Sequence, residues 1–477
     1  MNYRGRRATI MGLGHFGGGV AAARWLARQG ALVTVSDAAD EHALADSLPP
    51  LADAPIAAIH LGGHRAEDFQ RADIVVVNPA VRPDSPWLHA ARQSAARLCT
   101  ELELFIENCP AKIIAVTGSN GKSTTAAMIA SILNAAGRRA FLGGNIGGSL
   151  LDDLPRMTAD DWVVLEISSF QLWHFASRTP HAPREEAAEG VRRIHVAVVT
   201  GCSPNHLDWH GNFADYVAAK QRILAGQTSD DFAVLNTFDA EVASWLPLVR
   251  GRPILVSGAD IPVCRAGADD ARADRNVCPT VSLDDLPPLQ TPGEHNRINA
   301  ACAAAAASAI GCTADDIRRG LESFRGLPQR LEPIALIEGR RFYNDSAATT
   351  PESTIAALRS LDAPIWVLAG GKSKGFNFQP LAAEIVRHAC GAAFFGSARG
   401  ELLDRAIAAA GEFQCAAVET MQEALDWCWR RSRPGDAIVL SPACASTDQF
   451  RNFQQRGERY AELVHCLAVA GDSRRRL

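Results

Sequence analysis

The chain has 477 residues, 47% hydrophobic and 21% charged, a length that allows about three domains of roughly 100–200 residues each. Its net charge of −5, without a long basic run, argues against a dedicated nucleic-acid binder, and no stretch approaches a membrane span. The 12 cysteines form no C-x-x-C pair and the first apolar run is too short and glycine-rich for a signal peptide, so a reduced, cytoplasmic protein is expected.

Residues Ala8 to Met11 predict a short strand leading into Gly12-Leu13-Gly14-His15-Phe16-Gly17. A helix from Val20 to Gln29 follows, with Gly30 as its stop. A second strand from Ala31 to Val35 ends near Asp37. This is the dinucleotide-binding fingerprint: G-x-G-x-x-G between strand and helix, with an acid about 20 residues on. Glycines such as Gly14 let the backbone approach a diphosphate, and Asp37 is placed to accept from a ribose hydroxyl. The pattern specifies a nucleotide rather than nicotinamide. On this motif alone an NAD-dependent dehydrogenase stays open, as does a Rossmann-like domain with an empty site. A strand from Ile74 to Val77 ends in Asn78-Pro79-Ala80, another lies near Arg97 to Thr100, and Asn108-Cys109-Pro110 marks a boundary.

The stretch AKIIAVTGSNGKSTT, Ala111 to Thr125, is the most informative in the chain. An apolar strand runs into Gly118-Ser119-Asn120-Gly121, then into Lys122, Ser123, Thr124 and a segment with helical spacing. Unpaired N–H groups at a helix start, the helix dipole and glycines that admit close approach make a phosphate cradle. Lys122 would neutralise the β/γ-phosphates, and Ser123 or Thr124 would offer a hydroxyl to Mg²⁺. Only two residues separate Gly118 from Gly121, so the usual P-loop spacing is not met. Gly143 to Gly148 then reads as a flexible polar loop. Trp162 to Glu166 is a buried strand ending in a carboxylate, placed to hold Mg²⁺ or its water, or else to cap the next helix. The strand His195 to Thr200 leads into Asn205-His206-Leu207-Asp208. Lys220, on a helix, would ordinarily be solvated. Asn296 is placed to cap the Ala-rich helix or to meet a base. Residues 178–192 and 264–292 read as surface loops or insertions.

Beyond a hinge at Gly326 to Glu332, strands and helices alternate again: Phe342-Tyr343-Asn344-Asp345-Ser346, a helix started by Thr350-Pro351, Ile365 to Ala369 running into Gly370 to Gly375, Ala392 to Phe395, and Ala437 to Leu440 followed by Ser441 to Ser446. The expected fold is therefore α/β with three domains, each a Rossmann-like or doubly wound unit, the central one a P-loop-type ATPase domain. The expected divisions are 1–109, 110–326 and 327–477.

With these pieces in order, the chain resembles the Mur ligases of peptidoglycan synthesis, specifically the branch that adds glutamate. The motifs are TGSNGKST, GGNIGG, LEISSFQL, NHLD, YVAAKQRI, GEHN, GLPQRLE, NDS and LSPACASTDQFRNFQQRG, spread over nearly the whole chain. The resemblance implies that the first domain holds the UDP part of the substrate, the second ATP with Mg²⁺, and the third the amino acid. The implied reaction activates the carboxylate of UDP-MurNAc-L-Ala as an acyl phosphate, which the amino group of D-glutamate attacks. By resemblance, Lys122, Glu166, His206 and Lys220 carry the chemistry. Ser123, Glu166, His206 and Lys220 serve metal, with Lys220 carbamylated. Gly118, Asn120, Gly121, Lys122, Ser123, Thr124, Asn296, Arg330 and Asp345 hold the nucleotide. Gly14, Asp37, Asn145, Thr349, Lys374, Ser446 and Phe453 meet the other substrates. A cytoplasmic monomer is implied, without nucleic-acid or membrane partners.

Two positions depart from the family pattern. Ala347 stands where a lysine is usual, and Asn78-Pro79-Ala80 replaces Ser-Pro-Gly. Ala347 leaves an L-glutamate ligase as an alternative. A folylpolyglutamate synthase shares a similar phosphate loop, but the N-terminal Rossmann unit speaks against it. A non-catalytic nucleotide sensor would have little use for Glu166, His206 and Lys220 together.

Overall fold

The computed structural model describes residues 2–14, 17–94, 96–175, 194–258, 280–291, 293–373 and 375–475. Three sheets organise them. The first holds β1 (Arg7–Met11), β2 (Leu32–Ser36), β3 (Ile56–His60), β4 (Ile74–Val77) and β5 (Arg97–Cys99), all parallel in the order β3-β2-β1-β4-β5. The second holds β6 (Lys112–Thr117), β7 (Ala140–Gly144), β8 (Trp162–Glu166), β9 (Val196–Val199), β10 (Phe232–Asn236), β11 (Arg252–Val256) and β12 (Thr280–Val281), parallel in the order β12-β11-β10-β9-β6-β8-β7. The third holds β13 (Glu332–Ile337), β14 (Arg340–Asn344), β15 (Ile365–Gly370), β16 (Ala389–Phe395), β17 (Cys415–Ala417) and β18 (Ala437–Ala443), in the order β13-β14-β18-β15-β16-β17. Only the edge strand β13 runs antiparallel.

The central strands are nearly continuous apolar runs, such as Ile74–Val77 and, up to its terminal carboxylate, Trp162–Glu166, buried from end to end. That is the signature of parallel sheets covered by helices on both faces. Of the strands that sequence reading missed, β11 is buried beyond its first residue, but others are weaker. β3 reads IAAIH and is only partly buried, and β7 ends in two glycines; both lack a run of β-branched residues. Glu332, read as the end of a hinge, opens β13. The stretch 264–292, read as loop, contributes the edge strand β12; residues 259–279, and the stretch 178–192, lie outside the described residues.

The chain divides into two compact units, residues 1–288 with 298–323, and residues 289–297 with 324–477. The first unit contains two sheets. One buried cluster, with Leu13 and Val35 from the first sheet and Leu165 and Ile167 from the second, runs through both. The bond from Arg28 Nη1 to Asp152 Oδ1, 2.7 Å, also links them. The second unit has a core on each face of its sheet. In every sheet the strand order reverses beside a central strand: β1 with β4, β6 with β8 and β9, β18 with β14 and β15. Crevices form outside the carboxyl ends of strands at such points.

Candidate active site

The loop after β6 is shaped by what surrounds its glycines. Gly118 has φ +158°, and a Cβ there would lie 2.0 Å from Thr200 Oγ1; at Gly121, with φ +82°, it would lie 2.2 Å from Asn299 Oδ1. Side chains at either position would fill the cradle. Gly121 ends the loop in the left-handed region, and the helix Lys122–Ala135 begins there without a side-chain cap bond, the kind of helix start whose dipole favours an anion. Thr200 Oγ1 donates to Asn120 O at 2.6 Å, and Lys122 Nζ to Ser119 O at 3.1 Å. Thr124 sits half-buried in the first turn of that helix.

Glu166, at the end of β8, is 2% exposed. Its Oε2 accepts from Ser123 Oγ at 2.6 Å and its Oε1 from Asn145 Nδ2 at 2.9 Å. The structure therefore brings together three predicted residues, one each from the phosphate helix, β8 and the GGNIGG segment. That segment is not a free loop, since Asn145 N also donates to Glu166 O at 2.8 Å. Glu166 does not cap the following helix; Ser168 does, in a reciprocal pair with Gln171. A buried carboxylate beside a hydroxyl is the hard-oxygen donor set that Mg²⁺ prefers.

Lys220 overturns the ordinary expectation for a helical lysine, being 1% exposed. Its Nζ donates to Gly118 O at 2.8 Å and lies 4.8 Å from the Tyr216 ring centroid. Burial pushes the amine well below its usual pKa, and the charge of Lys122 pushes the same way, against Cys202 and Glu166. Tertiary burial thus overrides the solvation that a lone helical lysine would have. His206 is exposed at the start of the short helix Leu207–His210, in the left-handed region with φ 54°, its ring 4.8 Å from that of Phe170. Among the described residues no group of three or more His, Cys, Asp and Glu side chains is arranged to hold a metal.

Sequence reading missed the residue that ties these parts together. Ser119 Oγ donates to Ser203 O at 2.8 Å, accepts from Ser203 N at 2.9 Å, and shares a 2.8 Å bond with Tyr216 OH. With Tyr216 as donor, those bonds use the one proton and both lone pairs of the hydroxyl. The phosphate loop, the loop carrying His206 and the helix carrying Lys220 are joined at one atom. Ser119 and Tyr216 lay inside the motifs TGSNGKST and YVAAKQRI, but nothing local pairs them.

In the first sheet, Asp37 turns inward. Its Oδ2 accepts from Leu13 N at 2.8 Å and its Oδ1 from Ala39 N at 2.9 Å, so the carboxylate shapes the glycine loop itself. Gly14 packs on Asn78, whose Nδ2 would lie 2.4 Å from a Cβ there. The close helix approach of the fingerprint is made at Gly19, where a Cβ would lie 2.5 Å from Leu13 O, whereas Gly17 meets nothing within 4 Å. Asn78 Oδ1 accepts from Ala80 N at 3.0 Å, which rigidifies the replaced Ser-Pro-Gly position.

In the second unit, Asp345 follows β14. Its Oδ1 accepts from Leu331 N at 3.0 Å and its Oδ2 from Ser441 Oγ at 2.7 Å. Burial raises its pKa to about 7, against the Ser441 and Leu331 bonds and the charges of Arg330 and Arg456. A carboxyl raised in the folded state stabilises fully below its unfolded pKa and loses that contribution as pH rises through about 7. Asp345→Asn should therefore narrow the drop in melting temperature between pH 5 and 8 by several degrees, read by thermal unfolding at each pH; parallel curves would refute the assignment. Arg330 is exposed. Asn296 does not cap its helix, which begins at Glu294, and is buried within the first turn. Ser446 is buried after β18, Thr349 is half-buried, and Phe453 opens the helix Phe453–Arg475. Ala347 N donates to Gln329 O at 3.0 Å. Lys374 lies outside the described residues.

Residues 6–100 match the Mur ligase MurD-like N-terminal domain, residues 116–307 the Mur ligase middle domain, and residues 329–444 the Mur ligase glutamate ligase domain. The chain is 37% identical over 481 residues to the UDP-N-acetylmuramoylalanine–D-glutamate ligase of Roseiflexus sp. (strain RS-1), covering 97% of this chain and 99% of that one. It is 35% identical over 473 residues to the ligase of the same name from Symbiobacterium thermophilum, covering 97% and 98%. Among solved structures it is similar to the UDP-N-acetylmuramate-alanine ligase of Thermotoga maritima, with a TM-score of 0.58 at 18% identity over 97% of this chain and 99% of that one. A pseudomurein peptide ligase type C from Methanothermus fervidus gives a TM-score of 0.54 at 18% identity over 97% and 100%. At such identity the structural likeness speaks for the fold.

Proposed function

The chain belongs to the Mur ligase family, and from that premise we infer that it is an ATP-dependent ligase joining D-glutamate to UDP-N-acetylmuramoyl-L-alanine in peptidoglycan precursor synthesis. The observation that carries the acceptor and donor is the likeness to D-glutamate ligases over 97% of the chain at 35–37% identity. The phosphate cradle with its Ser123–Glu166–Asn145 chain supports the chemistry.

The substrate carboxylate is a poor electrophile, because its leaving group would be oxide. ATP with Mg²⁺ supplies the phosphoryl group that turns it into an acyl phosphate. The chain's part is positioning and charge neutralisation more than covalent help. The amides at the start of the helix Lys122–Ala135 would bind the phosphates, and Lys122 would meet the charge that develops on the transferring group. Ser123 and Glu166 would hold the metal, with Lys220 as carbamate and His206 as further ligands. Asn145, bonded to Glu166, would sit where the carboxyl end of the muramoyl substrate meets this centre. Gly14 and Asp37 would serve the UDP end, Asn296, Arg330 and Asp345 the adenosine, and Thr349, Lys374, Ser446 and Phe453 the amino acid. We place the protein in the cytoplasm as a monomer; among the described residues no helix is long and apolar enough to cross a membrane.

The test is phosphate release from ATP with UDP-MurNAc-L-Ala, comparing D-glutamate, L-glutamate and no amino acid. Release with D-glutamate alone is expected. Release with L-glutamate alone would transfer the reading to a pocket remodelled around Ala347, and no release at all would sink it.

A further inference from the structure

Arg456 is 0% exposed, inside the motif NFQQRG near the C-terminus, and the reaction described above gives it no task. Its guanidinium faces neutral oxygens. Nε donates to Ser346 Oγ at 3.0 Å, Nη2 to Ser346 O at 2.8 Å, and Nη1 to Cys444 O at 3.1 Å. Ser346 Oγ passes the connection on, donating to Phe453 O at 2.8 Å. Three segments meet here: the loop after β14, the loop after β18 and the first turn of the helix Phe453–Arg475. A fourth comes close, since a Cβ on Gly371 at the end of β15 would lie 3.1 Å from Nη1.

Burying a cation that hydrogen-bonds to no carboxylate is costly. Burial lowers the guanidinium to about 10, with Cys444, then Asp448 and Asp345, acting through space in the opposite direction, so it stays charged. The backbone it grips is also strained. Ala443, next to Cys444, has φ 60°, a conformation that a non-glycine residue keeps only where its surroundings impose it. A cost of this kind is informative because of what the gripped segments carry. Thr349 lies three residues beyond Ser346, Ser446 two beyond Cys444, and Phe453 accepts from Ser346 directly.

We propose that Arg456, acting through Ser346, is the positioning residue that sets the spacing of Thr349, Ser446 and Phe453 and so controls affinity for the glutamate acceptor without touching it. This rests on the reading of those three as the amino-acid pocket. A planar fork holds two loops through donors fixed at separate nitrogens, whereas a lysine's three donors sit on one nitrogen and cannot reproduce that spacing.

The test is steady-state kinetics of the full-length protein as wild type, Arg456→Lys and Ser346→Ala, with each substrate varied in turn and melting temperatures measured alongside. Arg456→Lys should raise KM for D-glutamate about tenfold or more, and Ser346→Ala, which keeps the arginine and its bonds to Ser346 O and Cys444 O but removes the Oγ that accepts from Nε and donates to Phe453 O, roughly threefold to tenfold. KM for UDP-MurNAc-L-Ala should stay within about twofold in both, since that substrate is assigned to the other unit. A fall in kcat and melting temperature with KM for glutamate unchanged in Ser346→Ala would show a merely structural role and overturn the proposal. If Arg456→Lys does not fold, Ser346→Ala alone decides. Absence of D-glutamate turnover by the wild type would instead overturn the function, and this proposal with it.

Discussion

Lys122→Ala is expected to lower kcat by on the order of 10³-fold, the scale seen when a preorganised charge aimed at a transition state is removed, while the melting temperature barely moves. The asymmetry follows from where the lysine sits. It is the first residue of the helix Lys122–Ala135, half-buried, with Nζ donating to the Ser119 carbonyl at 3.1 Å. The residues that hold the loop in shape are others: Thr200 and Ser119. Truncation therefore leaves the cradle standing and strips the cation from the place where phosphoryl charge would develop. Single-turnover phosphate release with a thermal melt on the same preparation checks both halves. Near-normal turnover would remove Lys122 from the chemistry, and a collapsed melt would make it structural.

The second large effect concerns Lys220. Lys220→Met, which keeps the apolar stem, should cost on the order of 10²-fold or more in kcat with a modest loss of stability. The loss in stability comes from the Gly118 carbonyl, which accepts from Nζ at 2.8 Å and would lose that buried donor. The loss in rate has a different origin. Burial and the Lys122 charge hold the amine pKa well below the usual lysine value. A larger neutral fraction results near neutral pH, and a neutral amine is the form that adds carbon dioxide, releasing a proton, to become an anionic oxygen ligand. Stripping carbon dioxide from the buffer should then lower wild-type activity, bicarbonate should restore it, and the recovery should weaken as pH falls and the amine protonates. Lys220→Met should ignore bicarbonate. Full wild-type activity without carbon dioxide, at any pH, would rule the carbamate out and leave Lys220 as a brace for the phosphate loop.

Much of the architecture could be read before any coordinates, and the reason is local. A fully buried parallel strand is apolar along nearly its whole length, so Ile74–Val77 and the four residues before Glu166 declare themselves. Edge strands carry no such burden. β3 and β12 border solvent on one side of the sheet and tolerate alanine and polar neighbours; β3 drew no strand prediction and β12 passed as loop. The helix after the phosphate loop was equally plain, since glycines followed by Lys-Ser-Thr have few other uses. Asp37 was legible as the acid of a fingerprint. Its inward turn onto Leu13 N was not, because one carboxylate can serve a ligand or its own loop from the same position in sequence.

By itself, then, the order of residues determined the α/β class, the phosphate cradle and the family, because each depends on short-range chemistry: apolar runs, left-handed glycines, a cation at a helix start. Tertiary structure decided which polar groups meet. Ser123, Glu166 and Asn145 come from segments 21 to 43 residues apart, and Ser346 and Arg456 from segments 110 apart. Their juxtaposition depends on strand order and on where each loop leaves its sheet. Lys220 shows the difference most sharply. Its neighbours in sequence describe an ordinary helical lysine, and only the packing of β6, Tyr216 and the phosphate loop around it removes the water that would keep it one.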